Sequence, residues 1–242
     1  MPYNSFCIYW FTNPYSSFKG GGFIMLAISI DGACRRNGKP DCIASGGVYI
    51  EHMYEDRKQI ISAFEKGSTN QRGELLALTL ALEYILKEQQ SAIIITDSEY
   101  LFNTMTKEWF TGWESRGWLT SAGEPVKNAD MWKNIKALYE QCKGLDINFY
   151  HIKGHCITIG AVTADKILTL DPTGQTLKRA LYCKYDETCK TPKYEKIARA
   201  NQLSIRNNGF ELNDETLRNF IVMNMMADII ATKCVDEADT NS

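Results

Sequence analysis

The chain has 242 residues, of which 44% are hydrophobic and 23% are charged, and its formal net charge is −2. This length suits one large domain, or a smaller domain that carries a sizeable insertion. The small negative charge excludes a globally basic nucleic-acid binder. Any nucleic-acid site must therefore be a local concentration of charged and polar groups.

Neither a membrane span nor a disulfide framework is predicted. No apolar run approaches the roughly 20 residues that a bilayer span requires, and the N-terminus lacks the basic and apolar regions of a secretory signal. The eight cysteines form no CxxC pair and no Cys/His cluster with zinc-ligand spacing. We therefore expect reduced thiols in a cytoplasmic protein with no membrane partner.

The N-terminal segment is expected to lie outside the folded domain. Residues 19–25 (KGGGFIM) are what a purine-rich ribosome-binding site and a start codon would encode if they were read in frame. We therefore expect residues 1–24 to be a disordered tail or a mis-called start, with Met25 as the natural first residue. Peptides from residues 1–18, found by mass spectrometry of the native protein, would contradict this expectation.

The first predicted elements are three strands, at 26–30, 46–50 and 57–65, which we expect to form an antiparallel meander. Apolar residues at helical spacing then predict a mostly buried helix from residue 70 to about 87. An apolar strand at 92–96 follows, which is typical of a central strand covered on both faces.

The second half of the predicted sheet is built from alternating helices and strands. Helices are predicted at 98–105 and 127–142, and a fifth strand at 146–152. This order predicts an α/β protein with a mixed five-stranded sheet flanked by helices. The pattern weakens over 156–213, and a final amphipathic helix is predicted to begin at residue 213 or 214.

Three carboxylates occupy positions where an α/β sheet presents side chains to a common site. Asp31 ends the first predicted strand, Asp97 ends the apolar strand, and Glu74 lies one turn into the first long helix. Clustered carboxylates repel one another unless a cation neutralises them, and oxygen ligands favour Mg²⁺ or Mn²⁺. Taken singly, each residue also has a simpler interpretation as a turn former, a helix cap or a surface residue.

The motifs around these carboxylates resemble the first three acidic motifs of type 1 ribonucleases H. They are residues 31–34 (DGAC), 68–75 (STNQRGEL) and 96–100 (TDSEY). All three stand in the family's order and spacing.

Two further motifs extend the resemblance. Residues 113–118 (WESRGW) and 125–132 (PVKNADMW) are similar to the segment that holds the substrate-binding handle of the bacterial enzymes, and residues 153–155 (KGH) resemble the loop of the mobile histidine. The resemblance covers about residues 25–155. It implies a ribonuclease H-like fold and an endonuclease that hydrolyses the RNA strand of RNA/DNA hybrids, leaving 5′-phosphate and 3′-hydroxyl ends.

The family's last catalytic aspartate, at the start of a C-terminal helix, has two candidates in this chain. Asp165 lies ten residues past His155, which matches the family's spacing, but it lacks the expected asparagine one turn earlier. Asp228 follows Asn224 in the family's phase, although it lies 73 residues past His155. We favour Asp228 and expect Asp165 to be a loop residue.

This choice determines the predicted domain organisation. Residues 25–236 form one ribonuclease H domain in which 157–213 are an insertion before the last helix. Residues 237–242 are expected to be a disordered tail. The insertion includes a basic stretch, 178–206, which is either a solvated face or an auxiliary nucleic-acid clamp.

The resemblance implies a role for each candidate catalytic residue. Asp31, Glu74, Asp97 and Asp228 hold two Mg²⁺ ions, for which Mn²⁺ is a possible substitute. His155 assists proton movement or product release, which suits a group whose unperturbed pKa is about 6.5. The protein is expected to act as a monomer.

The resemblance also implies the residues that recognise the hybrid. Asn70 and Gln71 pair with 2′-hydroxyls of the RNA strand in the minor groove. Asn37 and Thr69 bind a phosphate of the DNA strand, and Trp109 contacts the substrate at the start of the handle.

Two other functions are compatible with parts of this pattern. A DNA-cutting relative, such as a transposase, integrase or junction resolvase core, shares the carboxylates but has no need of 2′-hydroxyl readers. A catalytically silent domain that only binds hybrids or another protein has no need of an intact carboxylate set. Both alternatives are therefore less favoured.

Overall fold

The computed structural model describes residues 24–157, 159–189, 191, 199, 201 and 213–240. Within these ranges the strands are β1 (Ile24–Arg35), β2 (Ile43–His52), β3 (Lys58–Lys66), β4 (Ser91–Thr96) and β5 (Ile147–His151). The helices are α1 (Asn70–Glu88), α2 (Glu99–Thr106), α3 (Trp109–Ser115), α4 (Ala129–Gln141), α5 (Ala161–Leu170), α6 (Gln175–Thr188) and α7 (Asp214–Thr240).

The five strands form one mixed sheet in the order β3-β2-β1-β4-β5. Strands β1, β2 and β3 are antiparallel neighbours, whereas β4 is parallel to both β1 and β5. The predicted fold class, with its antiparallel meander and mixed five-stranded sheet, is therefore confirmed.

Strand β1 and helix α7 are longer than predicted. β1 continues past Asp31 because residues 32–35 pair with β2 as far as Arg35↔Ile43. Asp31 thus lies within the strand, and its predicted position at the strand end was wrong. α7 continues to Thr240, so residues 237–240 of the predicted tail are helical. Residues 241–242 and 1–23 lie outside the described residues.

Among the described residues, the two largest hydrophobic cores lie on opposite faces of the sheet, because successive side chains of a strand point to opposite faces. On β4, Ile94 packs into the core under α1 and α4, while Ile93 and Ile95 pack into the core under α5, α6 and α7. All three are 0% exposed. The prediction of a central strand covered on both faces is correct.

Two consecutive glycines of β2 let a helix approach the sheet on each face. A Cβ atom at Gly46 would lie 2.5 Å from the backbone nitrogen of Ala77 in α1. A Cβ atom at Gly47 would lie 2.4 Å from the carbonyl oxygen of Ala227 in α7. Both helices therefore pack backbone to backbone against β2, and this close contact places residue 228 beside the central strands.

The described part of 157–213 contains α5 and α6, which pack on the same face as α7. Asp165 lies in α5 and forms an ion pair with Lys233 of α7, so its predicted loop position was wrong. The helical periodicity of this short segment was obscured by the proline and glycine that follow it.

The basic stretch 178–206 is only partly described, because residues 190, 192–198, 200 and 202–206 lie outside the described ranges. Lys178 is buried and forms an ion pair with Glu51 of β2, so it is not part of a solvated face. None of the helices in the described ranges is long and apolar enough to cross a membrane.

Candidate active site

Three carboxylates lie close together at the centre of the sheet, and each belongs to a different part of the chain. Asp31 comes from the middle of β1, Asp97 follows the last residue of β4, and Glu74 lies in the second turn of α1. One oxygen from each carboxylate lies within 4.8 Å of the other two. β1 and β4 are parallel neighbours, which is why Asp31 and Asp97 lie side by side.

The electrostatic cost of this cluster is large because its members are shielded from water. Burial raises the pKa of Asp31 well above its usual value, and the neighbouring carboxylates, Asp228 among them, raise it further. Burial, followed by the charge of Asp97, raises the pKa of Glu74 to about 8. Glu74 Oε2 is buried and has no hydrogen-bond partner among the described residues. A cluster with these properties attracts a cation.

Asp228 of α7 lies next to this cluster, although it is not within the 4.8 Å group. Its carboxylate raises the pKa of both Asp31 and Glu74, which requires proximity to the two. Burial raises the pKa of Asp228 itself, while His155 opposes this shift. Asp165, by contrast, is exposed and paired with Lys233.

His155 is held over the carboxylates by the loop between β5 and α5. Its Nδ1 lies 3.7 Å from Asp228 Oδ2, and 72% of its side chain is exposed. Its backbone is left-handed, with φ of 53°. The imidazole is therefore next to the acidic cluster and open to a bound substrate.

A groove of about 720 Å³ runs from Glu74 along the N-terminus of α1. The predicted substrate residues Asn37, Thr69, Asn70 and Gln71 all line it. Asn37 Oδ1 accepts a hydrogen bond from the backbone N–H of Asn70 at 3.4 Å, and Thr69 Oγ1 caps the helix. The amide and hydroxyl groups that sequence reasoning selected are thus brought together beside the carboxylates.

Sequence reasoning missed four other residues of this groove, namely Ser98, Tyr100, Lys127 and Asn128. Asn128 donates a hydrogen bond from Nδ2 to Gln71 Oε1 at 3.2 Å. All four lie inside motifs that carried the family resemblance. Their position in those motifs could therefore have identified them as candidate groove residues.

Trp109 lies beyond the groove at the start of α3 and is 37% exposed. Its ring centroid is 6.3 Å from that of Tyr100, and Lys107 Nζ lies 5.9 Å from its ring centroid. Trp113 is instead 8% exposed and packs against Trp132 at 5.8 Å. Trp109 is therefore available to a ligand, whereas Trp113 fastens α3 to the body of the protein.

The sequence profile of the RNase H family matches residues 25–170. The chain is similar to the ribonuclease H of Chromobacterium violaceum, with 38% identity over 130 residues, which are 54% of this chain and 82% of that protein. It is also similar to the ribonuclease H of Zymomonas mobilis, with 40% identity over 131 residues, which are 54% and 78% of the two chains.

Among solved structures, the chain is similar to LC9-RNase H1, a type 1 RNase H with the type 2 active-site motif. The identity is 23% and the TM-score 0.46, over 54% of this chain and 63% of that chain, which is less than two thirds of its length. The family match includes Asp165 and ends before Asp228.

Proposed function

Because the chain belongs to the ribonuclease H family, we propose that it is an endonuclease that hydrolyses the RNA strand of RNA/DNA hybrids. The observation that carries this proposal is the triad of Asp31, Glu74 and Asp97, whose oxygens lie within 4.8 Å of one another beside a groove of amide and hydroxyl side chains. The triad suits phosphodiester chemistry, and the groove suits recognition of ribose and phosphate groups.

The donor set fits divalent metal ions. Its ligands are carboxylate oxygens without sulfur, which favours Mg²⁺, with Mn²⁺ as a substitute. The unpartnered Glu74 Oε2 and the raised pKa values of the carboxylates are what a cation would relieve. When bound, divalent ions held by these carboxylates would activate a water and stabilise the leaving oxygen, which would give 5′-phosphate and 3′-hydroxyl ends.

The residues of the site have two kinds of role. Asp31, Glu74, Asp97 and Asp228 would hold and orient the metal ions. His155, exposed beside Asp228, exchanges a proton or assists the departure of the cleaved end.

The groove distinguishes a hybrid from other duplexes. Asn70 and Gln71 offer amides to 2′-hydroxyls of the RNA strand, which a DNA strand lacks. Asn37 and Thr69 bind a phosphate of the DNA strand near the N-terminus of α1, where backbone N–H groups favour an anion. Trp109 stacks on a sugar or base beyond Tyr100.

We propose that Asp228 is the fourth metal-binding carboxylate. In this assignment the segment 157–213 is an insertion between the His155 loop and α7. Asp228 acts electrostatically on the triad, whereas Asp165 is exposed and neutralised by Lys233. A monomer in the cytoplasm remains our expectation.

The test is cleavage of an end-labelled RNA strand, alone and paired with DNA or RNA, in Mg²⁺ or EDTA. We expect metal-dependent cutting of the hybrid alone, which is lost in Asp97→Asn and Asp228→Asn and kept in Asp165→Asn. The Asp165→Asn variant is the matched control because it makes the same substitution on the other candidate. Cutting of DNA would favour a resolvase-like enzyme, and binding without cutting would favour a silent domain.

A further inference from the structure

The loop of residues 153–156 carries a residue with an unfavourable backbone conformation. His155 adopts a left-handed backbone, which is uncommon outside glycine and costs free energy unless neighbouring contacts stabilise it. Its side chain is exposed, so packing of the imidazole provides little of that support. The flanking residues, Lys153 and Cys156, make partly buried contacts that stabilise this conformation.

One buried side chain contacts both of these residues. Asn201 is 0% exposed, and its Oδ1 accepts a hydrogen bond from the backbone N–H of Lys153 at 2.6 Å. Its Nδ2 donates to Cys156 Sγ at 3.6 Å. An asparagine amide has an acceptor and a donor at its two ends, so a single residue satisfies both partners.

The Cys156 thiol completes this arrangement. Its Sγ donates to the carbonyl oxygen of Lys153 at 2.8 Å while it accepts from Asn201. The two ends of the loop are therefore tied to each other and to Asn201. Asn201 lies outside the part of the chain that the family profile matches, residues 25–170.

We propose that Asn201 is a positioning residue, supplied by the segment between α6 and α7, that holds His155 over the carboxylates. This inference rests on the proposed function, because it assigns the segment a role in the same site. Asn201 touches neither the substrate groove nor a carboxylate in the contacts described. It acts through the backbone of the loop.

The test compares Asn201→Ala with the wild-type protein by two independent measurements. For hybrid cleavage, we expect kcat to fall about tenfold, with KM within about twofold, because His155 acts on the reaction rather than on binding. For Cys156, which is 6% exposed, we expect alkylation by iodoacetamide to accelerate about tenfold, because loss of a buried hydrogen bond favours the open loop. Peptide mass spectrometry separates Cys156 from the other cysteines.

Two variants separate positioning from general destabilisation. Asn219→Ala removes another buried asparagine, 1% exposed, on α7, and should leave kcat and Cys156 alkylation unchanged even if the melting temperature falls. In a His155→Ala background, Asn201→Ala should cause no further loss of kcat, because the residue through which it acts is gone.

The opposite results would overturn the proposal. They are an unchanged kcat in Asn201→Ala, an equal loss in Asn219→Ala, or an additive loss in the double variant. If the wild-type protein does not cleave hybrids, the proposed function fails instead. The alkylation rate of Cys156 would then still decide whether Asn201 holds the loop.

Discussion

Gly154 lies against the Asp97 carboxylate so closely that a Cβ atom at residue 154 would come within 1.8 Å of Asp97 Oδ2. No carbon atom can approach an oxygen to this distance without a bond. A Cβ atom at residue 154 would therefore displace either the Asp97 carboxylate or the loop that carries His155.

We expect Gly154→Ala to lower kcat for hybrid cleavage by about a hundredfold, because the loop or Asp97 must move by an ångström or more. Gly160→Ala is the matched control, since the one contact that a Cβ atom there would make with the described residues is Thr163 Oγ1 at 3.8 Å. Steady-state kinetics of both variants provide the measurement. Equal kcat values in the two variants would show that hybrid cleavage does not depend on the observed path of the loop.

The metal-free protein should lose stability as the pH rises. The pKa of Glu74 is raised to about 8 in the folded state, compared with about 4.3 in an unfolded chain. The folded state thus binds more protons between these two pH values. The contribution of Glu74 to the free energy of unfolding is therefore fully present below the lower pKa and is lost as the pH approaches the higher one. Asp31 shifts in the same direction.

Thermal unfolding in EDTA should therefore give a lower melting temperature near pH 8 than near pH 5, and Mg²⁺ should raise it mainly near pH 8. Glu74→Gln should reduce both the pH dependence and the effect of Mg²⁺, because it removes one of the charges. A melting temperature of the wild-type protein that responds to neither pH nor Mg²⁺ would contradict a metal-binding cluster.

The ion pair of Glu51 and Lys178 fastens α6 to the sheet. Both side chains are about 10% exposed or less, and Tyr49 donates its hydroxyl to Glu51 Oε1 at 3.1 Å. Although burial opposes its ionisation, the Lys178 ammonium lowers the pKa of Glu51 below its ordinary value.

Lys178→Met should lower the free energy of unfolding by about 3–5 kcal/mol, because it removes the ammonium that neutralises the buried Glu51 carboxylate. The double variant Glu51→Gln/Lys178→Met should recover much of that loss, since neither charge remains. Lys184→Met, which breaks the exposed pair with Glu187, should cost less than about 1 kcal/mol. Urea unfolding measures all three, and additive losses in the double variant would be evidence against a coupled pair.

The end of α7 holds the loop that carries Asn37. Arg36 donates to both carboxylate oxygens of Asp239, at 2.9 and 2.6 Å, and its neighbour Asn37 contacts the backbone of Asn70. We expect Asp239→Asn to raise KM for the hybrid about two- to fivefold with kcat unchanged, because a bidentate contact orients the loop.

Asp236→Asn is the control for this change. It removes the same charge from the same helix, but its partner is Arg35 in β1. Its KM should stay at the wild-type value. A similar change in both variants would assign the effect to net charge rather than to the Asn37 loop.

The sheet and the triad could be predicted from sequence because they depend on short-range patterns. The apolar run of β4, the helical spacing of α1 and the motifs around Asp31, Glu74 and Asp97 are each readable within a few residues. Because β1 and β4 are parallel neighbours, Asp31 within β1 and Asp97 just after β4 lie side by side. Asn37, Thr69, Asn70 and Gln71, which line one groove, were expected from the family resemblance.

The proximity of Asp228 to the triad, the buried pairing of Lys178 and the contact of Asn201 with the His155 loop were decided only by the tertiary structure. Each joins residues far apart in the chain, and no local period or turn signal encodes such a contact. Sequence alone therefore determined the five strands and the carboxylates that could bind a metal, but not helix α5, where a loop was predicted. Tertiary packing determined the long-range contacts of Asp228, Lys178 and Asn201. The close approach of α7 to Gly47 and the burial of polar groups depend on every element being in place.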